Sequence, residues 1–152
     1  MTRYAPPAPM QANPEALRRA AQLLIDAKAP LIIADMFGRK PEAMASLVEL
    51  AELLAVPVID KGNRMNFPNN HPLDVTDGAR ELLEKADVIL GLDVVDLYGS
   101  LTRVNRTTRV SEYVTGAAKI IHVTMADMLV RSWCGDYQVL QAVDVPDRKS
   151  VV

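Results

Sequence analysis

The chain alternates between amphipathic stretches and short unbroken apolar runs. Leu17, Ala20, Ala21 and Leu24 fall on one face at helical spacing, with Arg18, Arg19 and Gln22 off it. Asn13-Pro14-Glu15 supplies the start of that helix: an N-cap, a proline at the first helical position and an acid in the first turn. Lys28-Ala29-Pro30 ends it. Pro41 opens a second helix with the stripe Met44, Leu47, Leu50, Ala51 and Leu54, leaving Glu49 and Glu52 to water. A third helix is expected over 77–86, with Ala79, Leu82, Leu83 and Ala86 inward. Between the helices lie Leu31–Ala34, Pro57–Ile59, Asp87–Asp93 and Lys119–Val123. These runs do not alternate, which suits central strands of a parallel sheet buried on both faces. Tyr137–Val143 does alternate and reads as a fifth strand at an edge, after a short helix around Ala126–Ser132. The pattern predicts an α/β fold: a Rossmann-like parallel sheet of five to six strands with helices on both faces.

Residues 1–12 read as a proline-rich arm or linker, 13–145 as the folded domain, and 146–152 as a disordered or truncated tail. A closing helix is missing after the last strand, so the chain reads as cut from something longer. Its 152 residues suit one domain, and 49% hydrophobic residues suffice for a full core. The net charge of −2 provides no field for nucleic acid or an anionic membrane. Arg103, Arg106 and Arg109 lack interleaved aromatics and read as a solvated loop or a contact with another domain. No apolar run approaches the ~20 residues of a membrane helix. The single cysteine, Cys134, permits no internal disulfide and fits a reducing cytoplasm.

Ligands of such sheets sit at the carboxyl ends of the strands. Three strands end there in Asp35, Asp60 and Asp93. Converging carboxylates would hold Mg²⁺ for a free-standing hydrolase; isolated ones would satisfy loop amides, and no partner lysine or serine completes a phosphatase set. The first loop, Asp35-Met36-Phe37-Gly38-Arg39-Lys40, has a single glycine where a dinucleotide fingerprint needs several. Gly38, Arg39 and Asp93 remain the candidates for holding FAD or ADP. His122 lies in an apolar strand and reads as a core histidine. His71 reads as a loop residue, and Cys134 has no basic activator. No catalytic residue and no metal ligand is assigned.

The connector Arg64–Leu73 is far longer than the few residues a strand-to-helix connection takes. It holds Phe67-Pro68, Asn69-Asn70 and His71-Pro72. Together with Ala27–Ala34, Gly38-Arg39, Leu50–Val58, Glu84–Asp93 and Lys119–Val123, it resembles the central domain of thiamine-diphosphate-dependent enzymes, the family of acetolactate synthases and of benzoylformate and oxalyl-CoA decarboxylases. The resemblance covers 13 to about 145. It implies a non-catalytic scaffold between a pyrimidine-binding and a pyrophosphate-binding domain, in a homo-oligomeric carboligase or 2-oxoacid decarboxylase. Thiamine diphosphate and Mg²⁺ would sit on those partner domains and not on this segment. Some relatives bind FAD or ADP here, through a glycine-rich first loop and a His-x-Asp-x-Asp strand end. This chain has His122-Val123-Thr124-Met125-Ala126 instead. The connector is expected to pack Phe67 down and to hydrogen-bond His71 to backbone.

Overall fold

A computed structural model describes residues 11–125, 139 and 141–148. The arm up to residue 10, the helix expected at Ala126–Ser132, Cys134 and residues 149–152 lie outside them. Helix α1 spans Pro14–Asp26, and the Asn13 side chain caps it by accepting the amides of Glu15 and Ala16. Strand β1 (Pro30–Ala34), helix α2 (Pro41–Leu54) and strand β2 (Val58–Asp60) follow. A 3₁₀ turn at Thr76–Gly78 leads into helix α3 (Ala79–Lys85), then strand β3 (Val88–Leu92) and helix α4 (Leu97–Leu101). The Arg- and Thr-rich connection folds into a hairpin, β4 (Thr102–Val104) and β5 (Ser111–Tyr113). Strands β6 (Lys119–Thr124) and β7 (Val145–Arg148) complete the order.

The five long-range strands form one sheet in the order β2-β1-β3-β6-β7, every pair parallel. Side chains alternate between its faces even within the unbroken apolar runs, because the strand period is two. Ile32, Ala34, Val58, Leu90 and Ile121 meet α1 and α2 through Ala20, Leu24, Leu47 and Ala51. Leu31, Ile33, Ile59, Ile89 and Ile120 meet α3 and α4 through Ala79, Leu83, Leu97 and Leu101. The expected two-sided α/β architecture is therefore present.

The fifth strand is not where alternation placed it. Of the stretch Tyr137–Val143, residues 137, 138 and 140 lie outside the described ones, and Val139 and Gln141–Val143 carry no strand; the fifth strand is Val145–Arg148, which runs past residue 145 into the segment read as tail. Pro146 and the two charges beside it argued against a strand. An edge strand tolerates them, since proline gives up only a donor that the ladder need not use. Asp147 also accepts the backbone amide of Asn13, which fastens α1 to this edge.

The opposite edge is closed by the connector. The amide of Val58 donates to Leu73 O, and Val75 donates back to Val58 O. Val58 and Asp74 pair as a parallel bridge, and Thr76 Oγ1 takes the Asp60 amide. The long connector thus runs alongside β2 and satisfies groups that an open edge would leave free. Phe67 is buried in the core, as expected, and stacks edge-on against His71 at 4.9 Å. His71 Nδ1 accepts the Leu73 amide, so its proton sits on Nε2, facing Glu52 of α2 at 3.2 Å.

Two further carboxylates tie the amino ends of the strands. Asp87 accepts the amides of Lys28 and Ala29, and these bonds hold its carboxyl below the usual range. Asp144 accepts the Ile120 amide and pairs with Lys119, with the same effect. The basic run sits on the β4–β5 hairpin: Arg103, Arg106 and Arg109 are all exposed, and Arg103 faces Glu112.

Candidate functional site

In a sheet of this order the direction in which successive strands are added reverses between β1 and β3, and the crevice outside their carboxyl ends is where a ligand would sit. Asp35 follows β1 there, and Asp93 follows β3. Both are buried, so their lone pairs need donors. Asp35 Oδ1 takes the Asn63 side-chain amide at 2.6 Å, and Oδ2 takes the Val95 N–H at 3.0 Å. Asp93 Oδ1 takes Thr124 Oγ1 and the Met125 N–H, both at 3.0 Å, and Oδ2 takes Arg39 at 3.0 Å. Asp93 adopts a positive φ of 52°, a conformation that aspartate tolerates better than most residues. Asp60, at the end of β2, gathers the connector: the amides of Gly62, Asn66 and Phe67 and the Asn66 side chain all donate to it.

The three strand-end carboxylates are thus each committed to donors from the surrounding loops. Among the described residues no three His, Cys, Asp or Glu side chains are placed to share a metal ion.

The structure does bring the three nucleotide candidates together. Arg39 joins Asp93 through its guanidinium and also donates from Nε to Met36 O at 3.1 Å. The amide of Gly38 donates to Asn66 Oδ1 at 2.8 Å, and that of Arg39 donates to Phe37 O at 2.8 Å. A phosphate on this loop would have to displace those partners. Gly38 has a further reason to be glycine: a Cβ here would run into the carbonyl of Met65.

Sequence reasoning missed Asn66. It is fully buried, and its side chain bonds Gly38, Asp60 and Arg64 O at once. Its only sequence trace is an asparagine beside Phe67 in an overlong connector. A cleft of about 450 Å³ opens beside these residues, lined by Asp35, Met36, Lys61, Asn63, Asp96 and Ser100 among others.

His122 sits on β6 opposite Gly91 of β3, whose missing side chain leaves room for the ring. Burial pushes its pKa below the ordinary 6.5, against weaker opposing effects of the Val94 carbonyl and Asp93. Among the described residues Nε2 has no hydrogen-bond partner. A folded pKa below the unfolded one means that protonation favours the unfolded chain. Stability is therefore full above 6.5 and falls as the pH drops below it. Asp87 and Asp144 titrate below 3.8 and leave that window clear. Urea midpoints of the wild type should decline from about pH 7 to about pH 5, and His122→Gln should flatten the decline.

The sequence profile of the thiamine pyrophosphate enzyme central domain matches residues 17–141. The chain belongs to this family. Solved structures of thiamine-diphosphate-dependent enzymes and of a benzoylformate decarboxylase are similar to it. Benzoylformate decarboxylase from Polynucleobacter necessarius aligns at a TM-score of 0.61 and 18% identity, over 95% of this chain and 26% of that one. A thiamine diphosphate-dependent 4-hydroxybenzoylformate decarboxylase from Rhodococcus jostii RHA1 aligns at 0.55 and 24% identity, over 80% and 23%. At such identities the likeness is one of fold. The chain spans about a quarter of the length of these structures. The sequence has no match among curated proteins. No helix among the described residues is long and apolar enough to cross a membrane.

Proposed function

We propose that this central domain is a non-catalytic scaffold in a thiamine-diphosphate- and Mg²⁺-dependent enzyme, a carboligase or 2-oxoacid decarboxylase. It would pack between the pyrimidine- and pyrophosphate-binding domains of a cytoplasmic homo-oligomer. One observation carries the reading: the polar groups at the ligand-binding edge of the sheet are spent on holding loops to one another. Asp35, Asp60 and Asp93 all accept from loop amides or neighbouring side chains. The described residues do not fit thiamine diphosphate with its metal. They offer no cluster of metal ligands, and the glycines of the chain never occur as Gly-Asp-Gly. The decarboxylases among the similar structures support the choice of reaction class.

The test is an assay of the chain with thiamine diphosphate, Mg²⁺ and either pyruvate or benzoylformate. Release of CO₂ should stay at the enzyme-free level. Saturable turnover would overturn the scaffold reading.

The position of Gly38, Arg39 and Asp93 at the β1/β3 crevice favours a second reading, a module that holds FAD or ADP. Against it stand the engaged amides of Gly38 and Arg39. Calorimetry with ADP and FAD separates the two: the second reading requires saturable heat that Arg39→Ala abolishes. The third reading, a Mg²⁺-dependent hydrolase on Asp35, Asp60 and Asp93, requires phosphatase activity that appears with Mg²⁺.

A further inference from the structure

Charge is unevenly placed on this chain. The β4–β5 hairpin carries Arg103, Arg106 and Arg109 against one acid, Glu112. Arg103 meets Glu112 at 3.8 Å, and the Asn105 side chain donates to the same carboxylate. Among the described residues Arg106 and Arg109 have no ion-pair partner. Val110, next to Arg109 in the chain, is 57% exposed, and Tyr113 is 52% exposed. The hairpin is thus a basic arm edged with apolar side chains, in a chain whose net charge is −2.

Helix α2 is its opposite. It contains three glutamates and no lysine or arginine. Glu42 and Glu49 are seven residues apart and Leu53 is four further on, so they share one stripe, with Glu52 beside them. All four are exposed, and Leu53, at 78%, is the most exposed large apolar side chain among the described residues. Among the described residues Glu42 and Glu49 have no ion-pair partner, and Glu52 meets the ring of His71. At the rise of a helix the stripe is about 16 Å long. The three-residue strands of the hairpin reach about 10 Å before the turn, so the two surfaces are of comparable length.

The two surfaces do not meet within one chain. Helix α2 packs with α1 on one face of the sheet, and α4 packs on the other. The hairpin extends from α4, where the Val114 amide donates to Leu101 O. A second copy therefore brings each surface its complement. We propose that copies of this chain associate head to tail, the basic β4–β5 hairpin of one seated on the acidic α2 stripe of the next, with Val110 and Tyr113 against Leu53. Exposed charge pairs contribute little each, and a hairpin covers less area than a standard interface, so the contact is weak and salt-sensitive. The proposal does not depend on the scaffold reading.

Sedimentation velocity of the whole chain tests it, from about 10 µM to about 1 mM, the range of a small interface. At about 20 mM salt the mean sedimentation coefficient should rise with concentration, and about 0.5 M salt should abolish the rise. Arg106→Glu with Arg109→Glu should weaken association at least about tenfold, as should Glu42→Arg with Glu49→Arg, since like charges then face each other. An equimolar mixture of the two reversed variants should associate about as tightly as the wild type. Arg18→Glu with Arg19→Glu makes the same change in net charge on α1 and should alter association less than about twofold. Leu53→Ser leaves the charge alone and should weaken association at least about threefold. Each variant is compared at an unchanged melting temperature. The proposal is overturned if the chain stays monomeric at low salt, if the hairpin reversal or Leu53→Ser leaves association unchanged, if the mixture fails to restore it, or if the α1 reversal weakens it as much as the hairpin reversal does.

Discussion

Asn66→Ala is expected to cost about 3 kcal/mol of folding stability, the larger of the two strongest single effects foreseen for this chain. The alanine leaves the Gly38 amide without its acceptor and removes one donor from Asp60. It also releases the bond to Arg64 O that holds the start of the connector. All of this happens at a fully buried position, where water cannot take over the lost bonds without opening the structure. Urea denaturation should show a lower midpoint with an unchanged slope, and the melting temperature should fall by roughly 10 °C. Asn66→Asp separates shape from chemistry. It keeps the acceptor for Gly38 but sets a carboxylate where the amide now stands 2.7 Å from Asp60. It should be at least as damaging as alanine at neutral pH. A variant as stable as wild type would remove the connector's anchoring role.

Gly38→Ala approaches the same contact from the other side and is expected to cost about 2–3 kcal/mol. The added methyl meets the backbone carbonyl of Met65, which cannot rotate away as a flexible side chain would. Either the first loop or the connector must move, and each carries one half of the Gly38–Asn66 bond. The two substitutions should therefore be non-additive, with a coupling energy of about 1 kcal/mol or more in a double-mutant cycle. Simple additivity would mean that the loop and the connector are held independently.

The helices and central strands were legible because burial on two faces leaves a strong local trace. Leu31–Ala34 and Val88–Leu92 are continuous apolar runs, and Pro14 and Pro41 stand at helix starts. The edge strand was not legible. Among the described residues Val145–Arg148 pairs on one side only, so its composition is free to include Pro146 and charge. The β4–β5 hairpin was hidden for a related reason: it is short, largely exposed, and turns at Asn105–Arg109 by side-chain bonds to Thr107 and Thr108.

The candidate site divides in the same way. The three aspartates were visible because strand ends are countable. Their partners were not, since Asn63 and Asn66 lie 28 residues from Asp35 and Gly38, and only the folded connector brings them together. Asn66 is the clearest case, a buried polar residue whose whole environment is long-range or built by its own loop.

This domain is expected not to hold, by itself, the cofactor named in its family. Calorimetric titration of the chain with thiamine diphosphate in the presence of Mg²⁺ tests it most directly. No heat beyond dilution and no change in melting temperature are expected. Saturable heat accompanied by a rise in melting temperature would contradict it.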